Sequence, residues 1–222
     1  MIAENIVLNL DTLGEFSHLI RNKFLILSHQ VVTFQRGEVI YHQGDKIDKI
    51  GLILEGVLKC ANYTNAGDEI NPHFFYEGDI FPEYLLLAGE DEYIYTLVAE
   101  KRSKVILVDL HSFKDLIMSD MECCQLLIAY MAKRGLLAEK WRLCNCLGNL
   151  RSRIAYMLLE IYGVSENGWI EIKDSQRIIS TKLQISRPAY NQEMIKLEEE
   201  NIIKRDKSKI KILNRRKLEG YI

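Results

Sequence analysis

The amino-acid sequence predicts an α+β chain in which a β-rich N-terminal domain and a mainly helical C-terminal domain are joined by a long helix. Three observations support this prediction. Short runs of β-branched and aromatic residues recur between turn residues up to Asp109, a stretch nearly free of Gly and Pro follows, and the remaining residues show a helix, turn, helix and hairpin pattern. A length of 222 residues is enough for two domains that each bury a core.

The composition excludes several classes of protein. With 48% hydrophobic residues and three prolines, the chain is neither disordered nor collagen-like. Apolar runs such as Tyr84–Ala88 and Val105–Val108 are far shorter than the roughly 18 residues of a membrane-spanning helix. Residues 1–10 include Glu4 and lack a basic segment before an apolar run, so no signal peptide is predicted. We therefore expect a cytoplasmic protein with no membrane partner.

The N-terminal domain is predicted to be a β-sandwich or barrel. Turn sequences such as Glu55-Gly56 and Glu77-Gly78-Asp79 separate its short strands. The candidate strands comprise residues 31–34, 39–42, 50–54, 57–63, 70–75, 93–99 and 104–108. Many short strands at regular spacing are typical of these architectures.

Residues 110–147 are predicted to form a helix with a seam of apolar and small side chains. Spacings of four, three, four and three separate Cys124, Ile128, Met131, Gly135 and Ala138. This periodicity is typical of a two-stranded coiled-coil contact, in which small residues allow close approach. The alternative is a helix that packs on its own domain. Asn149 follows as a predicted hinge.

Residues 170–213 predict two helices separated by a turn and followed by a hairpin. Asp174 or Ser175 can cap the first helix, and Ser186 can cap the second, with Pro188 in its first turn. The positions predicted to be buried are Ile178, Ile179 and Leu183 in the first helix, and Tyr190, Met194 and Leu197 in the second.

The opposite face of the second helix carries side chains suited to base edges. These side chains belong to Arg187, Pro188, Asn191 and Gln192. An Arg can donate two hydrogen bonds to guanine, and an Asn or Gln can pair with adenine. In the hairpin, two alternating strands flank the turn Asp206-Lys207-Ser208, with apolar residues on one face and cations such as Lys209 on the other. Such cations can bind phosphates while the helix contacts bases.

The charge distribution agrees with a nucleic-acid partner, although the whole chain has a net charge of −2. Residues 1–150 hold 14 Lys and Arg against 21 Asp and Glu, a net charge of −7. Residues 151–222 hold 15 against 10, a net charge of +5. The C-terminal domain is therefore predicted to bind an anionic partner.

The five cysteines are not arranged as a disulfide framework or a zinc site. Their number is odd, and paired C-x-x-C spacings are missing from the set of Cys60, Cys123, Cys124, Cys144 and Cys146. We expect free thiols and no metal. Redox sensing by one of them stays an open alternative.

Several of these segments together resemble the Crp/Fnr family of bacterial transcription regulators. The matching motifs include Ser152-Arg153-Ile154-Ala155 and Met131-Ala132-Lys133-Arg134. The others comprise residues 38–45, 51–56, 78–80, 186–187 and 197–203. The resemblance covers nearly the whole chain.

The resemblance implies a domain plan and a function. Residues 1–112 would form a cyclic-nucleotide-binding-like β-roll, residues 113–148 a dimerisation helix, and residues 149–222 a winged helix-turn-helix domain. The protein would be a homodimer, not an enzyme, that binds double-stranded DNA at a palindromic operator and contacts RNA polymerase. The DNA-binding residues would be Ser186, Arg187, Pro188, Asn191, Gln192, Lys207 and Lys209.

Departures from the family pattern change what is expected of the effector and the operator. The Arg that holds the cyclic phosphate in cyclic-AMP-binding members is replaced in the segment Tyr93-Ile94-Tyr95, and a buried anion without a cation is strongly disfavoured. Residues 1–59 contain no cysteine for an iron–sulfur cluster. Pro188 and Gln192 replace the Glu and second Arg of many recognition helices, so the operator should differ.

The effector region is aromatic, and we expect a small organic or aromatic effector other than cyclic AMP. A tyrosine combines an apolar ring with a polar tip, which suits such a ligand. The predicted binding residues are Glu83, Tyr84, Tyr93 and Tyr95, with no cofactor certain. Residues 92–100 are similar to the family branch that senses halogenated phenols. A haem-responsive regulator with His42 or His73 as ligand is an alternative.

Two alternative functions, each from another class of protein, remain open. A cupin-like enzyme or a cupin-like protein that does not bind DNA would need several His and a Glu grouped on strands, whereas the five His residues are scattered. A protein-interaction module with a degenerate helix-turn-helix would not need a basic hairpin.

Overall fold

The structure is a computed structural model that describes residues 20–63, 69–163 and 168–222. The chain forms two compact units, Met1–Lys133 and Arg134–Ile222. The first is rich in antiparallel strands and the second is mainly helical, so the predicted α+β class is confirmed.

The N-terminal unit contains two four-stranded antiparallel sheets. One has the order β1-β8-β3-β6 and the other β2-β7-β4-β5. Residues 20–26 form a helix, α1. The elements that follow are β1 (His29–Phe34), β2 (Val39–Tyr41), β3 (Lys49–Glu55), β4 (Val57–Tyr63), β5 (Glu69–Tyr76), β6 (Ile80–Phe81), α2 (Glu83–Ala88), β7 (Thr96–Ala99), β8 (Ser103–Asp109) and α3 (Leu110–Ser119).

Side chains on alternate positions of β8 enter two different cores. Val105 and Leu107 join the cluster shared with the second sheet, whereas Ile106 and Val108 join a cluster with residues of α1, α3 and α4. Alternation of this kind follows from the period of two in a strand. Because β8 is buried on both faces at these positions, residues 105–108 form a continuous apolar run.

Three features of this unit differ from the prediction. The strand predicted to begin at Tyr93 begins at Thr96, because the backbone of Tyr93 exchanges hydrogen bonds of 2.8 and 2.9 Å with Gly44 and Asp45. The two-residue strand β6 and the helix α2 were not predicted. β6 requires a glycine opposite Phe81, since a Cβ on Gly51 would lie 2.1 Å from the Phe81 ring.

The helix predicted over residues 110–147 is interrupted at Asp120. α3 ends before it, and the 26-residue α4 runs from Met121 to Cys146. The Asp120 carboxylate accepts a hydrogen bond from the Cys123 N–H and forms an ion pair with Lys23 at 2.6 Å. These two partners lower the pKa of Asp120 to about 2. None of the described helices is long and apolar enough to cross a membrane.

The predicted seam of α4 is largely exposed. Ile128 is 64% exposed, Gly135 and Ala138 are exposed, and Cys124 and Met131 are half-buried. The fully buried residues of α4 in the N-terminal unit are Cys123, Leu127 and Tyr130. Within the N-terminal unit, the seam residue Met131 is partly buried against this core, whereas the seam residue Ile128 is exposed.

The C-terminal unit is a winged helix-turn-helix domain, as predicted. Its elements are α5 (Leu150–Tyr156), a π-helical turn (Met157–Ile161), β9 (Trp169–Glu171), α6 (Gln176–Lys182), α7 (Arg187–Glu199), β10 (Ile203–Asp206), β11 (Lys209–Ile212) and α8 (Arg215–Glu219). The sheet has the order β10-β11-β9, so the predicted hairpin acquires a third strand.

A buried tyrosine connects α4 to the turn before β6. The Tyr130 hydroxyl donates to the Asp79 carboxylate at 3.2 Å and accepts from the Ile80 N–H at 3.2 Å. The other Asp79 oxygen accepts from the Tyr76 N–H at 2.7 Å. Because Tyr130 is 1% exposed, water cannot easily replace these bonds.

Substituting Tyr130→Phe should lower the free energy of unfolding by about 1–3 kcal/mol, because the buried Ile80 N–H and Asp79 oxygen lose this partner. The matched control is Tyr156→Phe. Tyr156 is half-buried and its hydroxyl has no hydrogen bond among the described residues, so this substitution should change the free energy of unfolding by less than about 0.5 kcal/mol. Urea denaturation measures both. Equal effects of the two substitutions would contradict this account.

Candidate nucleic-acid interface and effector site

The two helices of the helix-turn-helix begin at serine caps. The Ser175 hydroxyl accepts from the Ile178 N–H, which selects Ser175 over Asp174 as the cap of α6. Asp174 instead forms an ion pair with Lys182 at 2.8 Å. The Ser186 hydroxyl accepts from the Ala189 N–H at 3.3 Å, and Pro188 occupies the first turn of α7. Both caps satisfy N–H groups that have no partner within the helix.

The buried face of α7 is the predicted one. Tyr190, Met194 and Leu197 are at most 3% exposed and belong to the core of the C-terminal unit. Ser186, Arg187, Pro188 and Gln192 are exposed. Four of the five predicted helix residues are thus brought together on one solvent-facing surface.

Asn191 differs from the other predicted base-contacting residues. It is half-buried, and its amide oxygen is fully buried with no hydrogen-bond partner among the described residues. Pairing with adenine uses both the oxygen and the nitrogen of an amide. Asn191 is therefore less accessible to a base than Gln192.

The wing, defined here as β10, the turn Lys207-Ser208 and β11, presents cations on its exposed positions. Lys204, Lys207 and Lys209 are exposed, whereas Ile203 and Ile210 are buried. Lys207 has a φ of 53°, the left-handed conformation that a two-residue hairpin turn favours. Lys204 was not among the predicted site residues, although its place in the alternating pattern could have identified it.

An ion pair connects the wing to α7, the second helix of the helix-turn-helix. Arg205 on β10 donates to the Glu198 carboxylate on α7 through Nε at 2.7 Å, and its backbone N–H donates to the same group at 2.8 Å. The bond from Arg205 lowers the pKa of Glu198. This contact fixes the wing cations relative to the exposed face of α7.

The four predicted effector residues lie in one aromatic cluster of the N-terminal unit. Glu83 and Tyr84 begin α2, and the Tyr84 and Tyr95 ring centroids are 6.3 Å apart. The Tyr93 and Tyr95 rings meet edge to face at 5.8 Å. Tyr41, which was not predicted, stacks on Tyr93 at 4.5 Å. Tyr41 is far from Tyr93 in sequence, so no local sequence pattern could have predicted this contact.

Two of these tyrosines have hydroxyl groups that are buried and have no hydrogen-bond partner in the described part of the chain. Tyr93 is 1% exposed and Tyr95 2% exposed. Burial raises the pKa of both well above that of a free tyrosine, and Asp48 and Glu83 add to the effect on Tyr93 and Tyr95 respectively. Both are neutral at physiological pH and can donate a hydrogen bond to a ligand.

The residues considered for haem or redox sensing are not grouped into a site. His42 and His73 are both exposed. Burial raises the pKa of Cys123 and of Cys144 to about 11, so both remain protonated at neutral pH. Among residues 20–63, 69–163 and 168–222, no group of three or more His, Cys, Asp and Glu could hold a metal ion.

Comparison with protein-family models identifies both domains. Residues 31–120 match the cyclic nucleotide-binding domain, and residues 152–221 match the Crp-like helix-turn-helix domain. Among curated proteins, the global nitrogen regulator of Synechococcus elongatus is 23% identical over 191 residues, which cover 83% of this chain and 86% of that protein.

Solved structures of similar fold span nearly the whole chain. FixK2 from Bradyrhizobium japonicum superposes with a TM-score of 0.67 and 20% identity, covering 88% of this chain and 98% of that chain. The OCPA complex of a CprK variant gives a TM-score of 0.69 and 18% identity, covering 92% and 93% respectively. At these identities the likeness establishes the fold.

Proposed function

Because the chain belongs to the Crp/Fnr family of transcription regulators, we propose that it acts as a homodimer on a palindromic DNA operator, under the control of a small organic effector. DNA binding and transcription regulation follow from the family itself. The observation that supports the proposed residues is the exposed surface formed by Arg187, Gln192 and the wing cations.

On this surface α7 is proposed to contact bases and the wing to contact phosphates. The Arg187 guanidinium and the Gln192 amide project from the first two turns of α7, where they can enter the major groove. Lys204, Lys207 and Lys209 carry the positive charge that phosphates attract. Base contacts would set sequence preference, and phosphate contacts would set position on the duplex.

The exposed seam of α4 supports the homodimer. Ile128, which is 64% exposed, shares a coiled-coil spacing with the exposed Gly135 and Ala138, and this pattern favours burial against a second copy of the same helix. A two-fold dimer places two copies of α7 at half-sites about one turn of DNA apart. The operator is then an inverted repeat.

The match to the Crp-like helix-turn-helix domain argues against the alternative of a cupin-like protein that does not bind DNA. The family consists of transcription regulators rather than enzymes. We place the protein in the cytoplasm because its partner is DNA. Contact with RNA polymerase is proposed on the same grounds.

The effector is proposed to bind beside Glu83, Tyr84, Tyr93 and Tyr95. Two buried, neutral hydroxyls without partners favour a ligand that accepts hydrogen bonds, and the surrounding rings favour an aromatic one. Glu83, at the start of α2 beside Tyr84, is 2% exposed, and a second buried acidic group such as a cyclic phosphate is disfavoured next to it. A phenolic compound satisfies these requirements better than cyclic AMP.

Substituting Arg187→Ala should abolish sequence preference, because each good base contact contributes about 1–3 kcal/mol of discrimination. Lys207→Ala or Lys209→Ala should instead weaken operator and scrambled DNA equally and lower the salt slope by about 1. Gel-shift titrations at several salt concentrations measure both quantities. An Arg187→Ala protein that kept full preference would refute the assigned interface.

Calorimetric titration should show no binding of cyclic AMP at millimolar concentration and binding of at least one phenolic compound. Tyr95→Phe should weaken that binding about tenfold, as expected for the loss of one hydrogen bond of about 1.4 kcal/mol. The same substitution should not lower the melting temperature without ligand, because the hydroxyl has no hydrogen-bond partner to lose within residues 20–63, 69–163 and 168–222. Tyr156→Phe is the control. Tight binding of cyclic AMP would overturn the effector proposal.

A further inference from the structure

A single arginine at the start of the C-terminal unit binds two points of the recognition helix. Arg151, in the first turn of α5, donates from Nε to the Glu193 carboxylate at 2.5 Å. Its Nη1 lies 2.8 Å from the Glu200 carboxylate and donates to the Tyr221 hydroxyl at 3.2 Å. The guanidinium carbon also lies 5.1 Å from the centre of the Tyr221 ring.

The two carboxylates are well placed to control the rotation of α7. Glu193 lies within α7 and Glu200 is its C-cap residue, so the two are seven residues, or about two turns, apart on nearly the same side of the helix. Apolar burial of Tyr190, Met194 and Leu197 is not directional. Charge-assisted hydrogen bonds to a planar guanidinium are directional, and they add a geometric constraint that packing lacks.

The surroundings distinguish this contact from an ordinary surface ion pair. The side chains of Arg151 and Glu193 are only 24% and 12% exposed. By contrast, Arg215 and Glu219 on α8 are 63% and 49% exposed and join residues of one helix. Exposed pairs contribute little, whereas partly buried pairs between elements resist separation.

We propose that Arg151 is a positioning residue for DNA recognition: it refines the rotation of α7 that apolar packing selects, and thereby the direction in which Arg187 and Gln192 meet the base edges. The inference rests on the proposed function, because it concerns sequence-specific binding. It assigns Arg151 no contact with DNA. Loss of this arginine should therefore change preference for the operator, not attraction to phosphates.

The experiment compares four variants in the full-length protein: Arg151→Met, Arg151→Lys, the double variant Arg151→Met with Glu193→Gln, and the control Arg215→Met. The double variant also removes the half-buried Glu193 carboxylate charge, which in the single variant would keep the exposed Lys196, 3.7 Å away, as an ion-pair partner. Affinities are measured for the duplex that the wild type selects from random DNA and for its scrambled counterpart, at several salt concentrations. Thermal melting reports folding.

For Arg151→Met and the double variant we expect operator affinity to fall about tenfold or more, with scrambled-DNA affinity and salt slope unchanged. Arg151→Lys should recover part of the preference for the operator. An ammonium group can bind one carboxylate, but it cannot reproduce the planar contact of a guanidinium with two carboxylates. Arg215→Met should match the wild type. An unchanged ratio of operator to scrambled affinity in either Met variant would overturn the proposal.

The remaining outcomes also decide the question. An equal loss on both DNAs with a salt slope reduced by about 1 would make Arg151 a phosphate contact and refute the positioning role. Failure of both Met variants to fold would make the arginine a stability element only, which also refutes it. If the wild type itself selects no sequence, the proposed function fails rather than this inference alone.

Discussion

The burial of Tyr190, Met194 and Leu197 decides which side of α7 faces solvent, and the proposed DNA contacts depend on that choice. A rotation of the helix by one residue, about 100°, would bury a different set of side chains and change the directions in which Arg187 and Gln192 point. The serine cap fixes where the helix begins, so these side chains lie in its first two turns. Polar contacts through Glu193, Glu198 and Glu200 then refine an orientation that apolar packing has selected.

The N-terminal unit uses the same division between packing and polar contacts. The central strands β3 and β8 of its first sheet are buried on both faces, with the aromatic cluster on one face and helices on the other. Tyr130 brings a hydroxyl from α4 to Asp79 in the turn before β6. Since α2 and Glu83 follow directly after β6, α4 and the proposed effector region share one hydrogen-bonded turn. In the proposed mechanism, effector binding would therefore have a short physical route to the proposed dimerisation helix.

Much of the architecture could be predicted because it has a local signature. The periodicity of Tyr190, Met194 and Leu197 identified the buried face of α7, and the cap at Ser186 identified its start. The alternating hairpin around Lys207 was equally visible. These features depend on residues at most a few positions apart, so sequence pattern alone contains them.

The features that were missed depend on residues far apart in sequence or on elements too short to show a period. Strand β6 has two residues, and its partner Gly51 is identified only by contact with Phe81. The break at Asp120 involves an ion pair with Lys23, and Arg151 reaches Glu193 over 42 positions. The half-burial of Asn191 arises from the surrounding fold. Contacts of this kind form only in the folded chain and leave no pattern in the local sequence.

The central claim, a two-fold dimer that presents two copies of α7 to DNA, is tested most directly by selecting bound duplexes from a random pool and sequencing them. The account predicts an enriched inverted repeat whose half-site centres are about 10–10.5 base pairs apart or a multiple of that distance. An enriched single half-site without an inverted partner, or no enrichment over the starting pool, would contradict it.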